Sequence, residues 1–135
     1  MSWNVYLEEV HVRTACDMCG QPLPEPKQYT TEIDYWNYTH NTSRMVYAAL
    51  GKSGITLRGD ESWWQHLDGM SGEQGRRYLA SIINQLLMEP EFFRKMEPAN
   101  AWGSYDGLLR VLVRMRDVQQ QYQQEGITTE WRANG

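Results

Sequence analysis

The polar run Asn37-Tyr38-Thr39-His40-Asn41 gathers an imidazole, two carboxamides and two hydroxyls within one short segment. Its place gives it chemical interest, because it follows a β-favouring stretch and precedes a helical one. A strand-to-helix junction exposes backbone N–H groups, and a helix N-terminus favours negative charge. Asn37, His40 and Asn41 add directional donors and acceptors around those amides. A second run, Asn100-Ala101-Trp102-Gly103-Ser104-Tyr105, stands before another helix. Gly103 permits close backbone approach or a positive φ, and Trp102 and Tyr105 offer flat faces to a planar ring. Plainer readings stand beside both. Thr39 or Asn41 caps a helix, and a tight interhelical turn is anchored by a buried Trp102.

Cys16 and Cys19 have the spacing of half a zinc knuckle. A structural zinc needs four ligands, so two thiolates do not complete one. His11 is the nearest extra ligand in sequence, His66 is distant, and a second chain bringing its own CxxC makes a homo-oligomer. A metal-free turn is the alternative. A thioredoxin-type redox role lacks the βαβ context that such pairs occupy. Gly51-Lys52-Ser53 has the ending of a phosphate loop, but Val46 stands where the first glycine belongs and a helix precedes it. It reads as a helix end followed by loop. A Ser–His–Asp hydrolase would draw on Asp34, His40 and Ser43, which only geometry can assemble. Glu32 and Asp34, two apart on a strand, are ordinary exposed acids.

The elements that must position these residues are legible from periodicity. Trp3 to Val12 reads as a strand of unclear buried face: Tyr6, Val10 and Val12 share one parity, Val5 and Leu7 the other. Arg13 to Lys27 reads as a loop, because Pro22, Pro24 and Pro26 exclude helix and regular central strand. Gln28 to Trp36 alternates in β-favouring residues and predicts a second strand, antiparallel to the first. Asn41 or Thr42 caps a helix carrying Met45, Val46, Ala49 and Leu50, ended by Gly51 and Gly54. Ser62 caps a short turn with Trp63 and Trp64. Ser71 and Gln74 have capping-box spacing, ahead of an apolar stripe at Leu79, Ile82, Ile83, Leu86 and Leu87. Pro90 opens a short helix through Met96, and Pro98 closes it. Ser104 caps the last helix, whose buried face is Tyr105, Leu108, Leu109, Leu112, Met115 and Tyr122. Gly126 ends it, and Ile127 to Arg132 forms a final strand.

The 135 residues suit one domain, 1–135, able to bury a core without disulfides or metals. Its parts are a strand and CxxC loop (1–36), a helical part (39–125) and a final strand (127–132). Net charge is −4, with the cations dispersed among acids, so no basic stripe for a nucleic-acid polymer exists. No apolar run is long enough to span a membrane, Met1 to Tyr6 lacks the pattern of a secretory signal, and two close cysteines suit a reducing cytoplasm. Six Trp and eight Tyr against two Phe mean that some aromatics bring polar handles to a core or pocket.

Trp36, Asn37, Thr39, His40, Asn41 and Met45, then Asn100, Trp102, Gly103 and Tyr105, carry a resemblance. They resemble the W-N-x-T-H-N and N-x-W-G-x-Y motifs of an uncharacterised family of small phage and bacterial proteins. The resemblance spans about residues 28 to 132 and departs after Met45 and in the loop from Gly51 to Met70. It implies a shared fold and a shared pocket, and no known activity.

Together these readings predict an α+β fold, a small antiparallel sheet of about three strands packed on one face by helices. They predict a non-enzymatic protein holding a small anionic, nucleotide-like ligand between Asn37, Thr39, His40, Asn41 and Asn100, Trp102, Gly103, Tyr105. In a phage, acting in the host cytoplasm, it would sequester a nucleotide-derived defence signal. Two alternatives remain open: a protein-interaction module anchored on Trp63, Trp64 and Trp131, and a hydrolase using His40. No cofactor is required, and zinc at Cys16 and Cys19 is the single metal reading.

Overall fold

A computed structural model describes the whole chain, Met1–Gly135. Two strands open it, β1 (Ser2–Ala15) and β2 (Pro22–Thr39), with a tight turn over 16–21 between them. β3 (Thr129–Asn134) pairs with the other side of β1, so the antiparallel sheet has the order β2-β1-β3. The helices α1 (Ser43–Lys52), α2 (Trp63–Leu67), α3 (Gly72–Met88), α4 (Pro90–Arg94) and α5 (Tyr105–Gln124) lie between β2 and β3 in sequence. They cover one face of the sheet. This is the expected α+β architecture.

Strand alternation decides which residues of β1 are buried. Trp3, Val5 and Leu7 point to the helices and are fully buried, where Trp36 of β2 and Trp131 of β3 join them. Tyr6 and the other even residues take the opposite face. The helices close the core with Met45, Val46, Ala49 and Leu50 of α1, and with Leu79, Ile82, Ile83 and Leu86 of α3. Tyr105, Leu108, Leu112 and Met115 of α5 complete it. Each buried aliphatic of this size contributes about 1.5–3 kcal/mol. The caps are largely those the sequence announces. Gln74 N–H donates to Ser71 Oγ, Gly107 N–H to Ser104 Oγ, and Ser62 N–H to Gln65 Oε1.

Several boundaries differ from the sequence expectation. The segment 22–27 is strand, not loop, because β2 is an edge strand. Pro24 and Pro26 fall in the stretch 23–26, where the pairing with β1 shifts register between Arg13 and Ala15, so their missing N–H groups take nothing from a regular ladder. The first helix is entered through a 3-10 turn, His40–Thr42, whose cap is Thr39. Leu87 is 55 % exposed on the last turn of α3, beyond the reach of the core. α4 ends at Arg94, short of Met96. The final strand starts two residues late, because Ile127 N–H returns to Tyr122 C=O and Gly126 N–H to Gln123 C=O. That is a Schellman closure of α5, with Gly126 at φ +80.

β3 covers β1 only from Asn4 to Glu9. Val10 N–H still donates to Thr128 C=O, and from His11 to Ala15 β1 has β2 alone as a neighbour, so the hairpin extends past the body as a two-stranded arm of about 17 Å. A bulge between Leu7 and Glu8 marks the start of this departure. No helix is long and apolar enough to cross a membrane.

Candidate functional site

The two polar runs do meet, and the contact is tight. Gly103, at φ +97, lies against the methyls of Thr39 and Thr42, where a Cβ would come within 2.5 and 2.8 Å of them. Tyr38 reaches across from β2, and its hydroxyl accepts Ser104 N–H at 3.1 Å and sits against Gly107. The N-termini of the two helical segments therefore adjoin. The space between them is filled by Tyr38 and the threonine methyls.

Their amides are also occupied. At α5, Tyr105 N–H donates to the Glu97 carboxylate at 3.1 Å, Gly107 N–H to Ser104 Oγ, and Ser104 N–H to Tyr38. A carboxylate already takes the place an anion would seek. Asp106, in the same first turn, adds a second negative group, bridged to Arg94 at 3.1 Å. At the 3-10 turn, Asn41 N–H donates to Thr39 Oγ1 and His40 N–H to Met1 C=O.

The side chains divide three ways. Tyr105 is buried and donates its hydroxyl to Leu86 C=O at 2.6 Å, and burial raises its pKa. Trp102 is 69 % exposed, not the buried anchor of a turn, and Asn100 Oδ1 accepts its N–H. Asn37 lies on the other face of the sheet, because it alternates with Tyr38. His40 stacks on Trp64 with ring centroids 4.6 Å apart, and its Nε2 is buried without a hydrogen-bond partner. Neither partner of the hydrolase reading bonds to it. Asp34 Oδ1 accepts Tyr35 N–H, and Ser43 Oγ accepts Trp63 Nε1–H. The largest depression, about 780 Å3, lies over the outward side of α5 beside Leu109 and Val113. None of the five main depressions is lined by any residue of the two runs.

The tryptophans expected as surface anchors are instead structural. Trp63 and Trp131 are fully buried, and Trp64 lies between the His40 ring and Gly135. The open aromatic surface is elsewhere, on the uncovered face of the sheet. There Asn4 ties all three strands. Its Oδ1 accepts from Tyr35 Oη at 2.7 Å and from Asn37 Nδ2 at 2.9 Å, while its Nδ2 donates to Asn134 Oδ1 at 3.0 Å. Tyr6 packs on Tyr35 at 5.0 Å between centroids, and Arg132 bridges Glu8 and Glu130. The same face continues along β1 through Val10 to Val12, which is 58 % exposed. A depression of about 280 Å3 lies beside Val10, Gln28 and Glu130. One signal in the sequence marks this surface: β1 carries apolar residues on both parities, and only one parity can enter the core.

At the arm tip, Cys16 and Cys19 are both free thiols. The Cys19 amide holds the Cys16 thiol below its ordinary pKa, helped by the Met18 amide and the Cys19 thiol. His11, the nearest further candidate in sequence, stacks on Tyr29 at 4.8 Å and places Nε2 2.8 Å from Thr31 Oγ1. No group of three or more His, Cys, Asp or Glu side chains suited to a metal occurs in the chain. Compared with protein-family models, curated proteins and solved structures, the chain matches none.

Proposed function

We propose that this protein is an interaction module that docks another protein on the uncovered face of its sheet. One observation carries the reading. Tyr6, Tyr35, Asn4, Asn37 and Asn134 form a hydrogen-bonded and stacked array on an open face, held in place before any partner arrives. Tyrosine and asparagine side chains fixed this way offer contact area and adaptable hydrogen bonds at little cost in conformational entropy. Val10 and Val12 extend the patch along the arm. The charges on the face are Glu8, Glu32 and Glu130, of which Glu8 and Glu130 share Arg132. The matching partner is thus a mildly basic protein surface presenting aliphatic side chains and backbone amide groups.

Affinity capture from cells that natively make the protein tests this, with three baits compared. Wild type and Trp102→Ala are expected to retain the same protein, while Val12→Glu with Tyr35→Ser loses it by tenfold or more. A partner held equally by the face variant removes the reading. A second reading rests on the exposed Trp102 indole: an anionic, ring-bearing ligand, such as a nucleotide sequestered from signalling. Calorimetric titration with mono-, di- and cyclic nucleotides tests that one, and no heat across the panel removes it.

A further inference from the structure

The turn over 16–21 has the geometry of a metal knuckle. Cys16 N–H donates to Gln21 C=O and Gly20 N–H to Cys16 C=O, both at 2.8 Å. Gly20 closes the turn at φ +72 with open space around it, a conformation that costs glycine little and other residues more. The amides of Met18 and Cys19 point at the Cys16 sulfur, and the Cys19 thiol is within hydrogen-bonding reach of it. The two sulfurs are thus gathered on one side of the turn, where a single metal ion can take both.

Two thiolates fill half of a tetrahedral zinc site. Nothing in the chain completes it. His11 is held by Tyr29 and Thr31, and Asp17 pairs with Arg13 at 3.1 Å. The arm holds its tip clear of the body, so two tips can meet without the bodies colliding. Their charge allows it, for along 10–30 the cations Arg13 and Lys27 match the anions Asp17 and Glu25. Four thiolates around one Zn2+ leave two negative charges, and each chain brings one Arg13–Asp17 ion pair beside its Cys16.

We propose that the arm tip is half of a zinc site, completed by a second copy of this chain, so that one Zn2+ is held by Cys16 and Cys19 of both chains. Binding releases the thiol protons to solvent and changes no oxidation state. This inference is independent of the docking face.

The reduced, metal-free whole chain is titrated with Zn2+ alone and followed by sedimentation velocity and metal analysis. The expected result is a doubling of the 15.8 kDa mass at one zinc per two chains. Co2+ in place of zinc should give the visible absorption of a tetrahedral tetrathiolate, and a chelator should return the monomer. Cys16→Ser and Cys19→Ser should each abolish the doubling, with metal-free melting curves confirming that both variants fold. Zinc bound one per monomer, no zinc bound at equimolar metal, or a dimer that survives chelator or Cys19→Ser would each overturn the proposal.

Discussion

Gly75→Ala inverts an ordinary helix rule. Gly75 lies within α3, where replacing glycine by alanine normally stabilises by about 1 kcal/mol. Here the new Cβ would come within 2.1 Å of Trp131 Cδ1 and 2.2 Å of Nε1, and 2.9 Å from Leu67 Cδ1. The indole cannot yield easily. It is fully buried, and its Nε1–H donates to Gly72 C=O at 3.0 Å. Overpacking a core costs about 1–3 kcal/mol or more, and a displaced hydrogen bond about 1 kcal/mol. Set against the propensity gain, the net expectation is about 2 kcal/mol of destabilisation, or a Tm lower by roughly 6–10 °C for a chain of this size. Gly51→Ala is the matched control, since Gly51 lies in α1 and a methyl group added there would meet nothing within 4 Å. It should raise the Tm by about 3–5 °C. Thermal melts of the two variants, run beside wild type, decide the matter. If Gly75→Ala also raises the Tm, Trp131 is not wedged against α3, and the account of how β3 is held fails.

Two further outcomes follow from the core and from the second polar run. Ile83→Asp should abolish cooperative unfolding, because a fully buried, unpaired carboxylate costs several kcal/mol; a soluble variant with a normal melt by circular dichroism would move Ile83 to the surface. Tyr105→Phe should destabilise more than Trp102→Ala despite removing a single atom. The first leaves Leu86 C=O without its donor, at about 1–3 kcal/mol, and the second truncates a largely exposed ring at about 0.5 kcal/mol or less. Urea denaturation ranks the pair, and the reverse order would refute the placement of both side chains.

The helices are legible in the sequence because each carries a strong period and a polar start. Ser71, Ser104 and Ser62 stand where their helices begin, and the stripes of α3 and α5 leave little choice of buried face. The arm is not legible, because Pro22, Pro24 and Pro26 are loop signals except on an edge strand, and edge position is a property of the assembled sheet. The two polar runs read as helix starts, and in the fold they adjoin. Their chemistry is less visible. Ser104 caps Gly107 from within the run, but Glu97 lies eight positions before Tyr105 and Tyr38 sixty-six before Ser104, so the other two groups that satisfy the α5 amides come from outside it. Asn37 illustrates a simpler limit: a run that reads as one cluster straddles a strand, and alternation sends its first two residues to opposite faces.

The composition of β2 argues for how the arm meets other molecules. An exposed strand edge is a template for pairing with another chain. Near the tip, Pro24 and Pro26 remove N–H donors at alternate positions, and Lys27 follows them with a charge. Such an edge resists being zipped to a second strand. A two-stranded ribbon is also marginal on its own, so the outer arm gains most from a contact that clamps its end. With the edge closed to pairing, the sheet face and the knuckle are the surfaces of the arm left for recognition. The face carries Val12 and the tyrosines, and the knuckle carries the paired thiols. A contact confined to the tip leaves the face of each chain free. Two chains joined there would present two docking faces together, and a partner with two matching surfaces would be held by both at once, at an effective concentration set by the span between them.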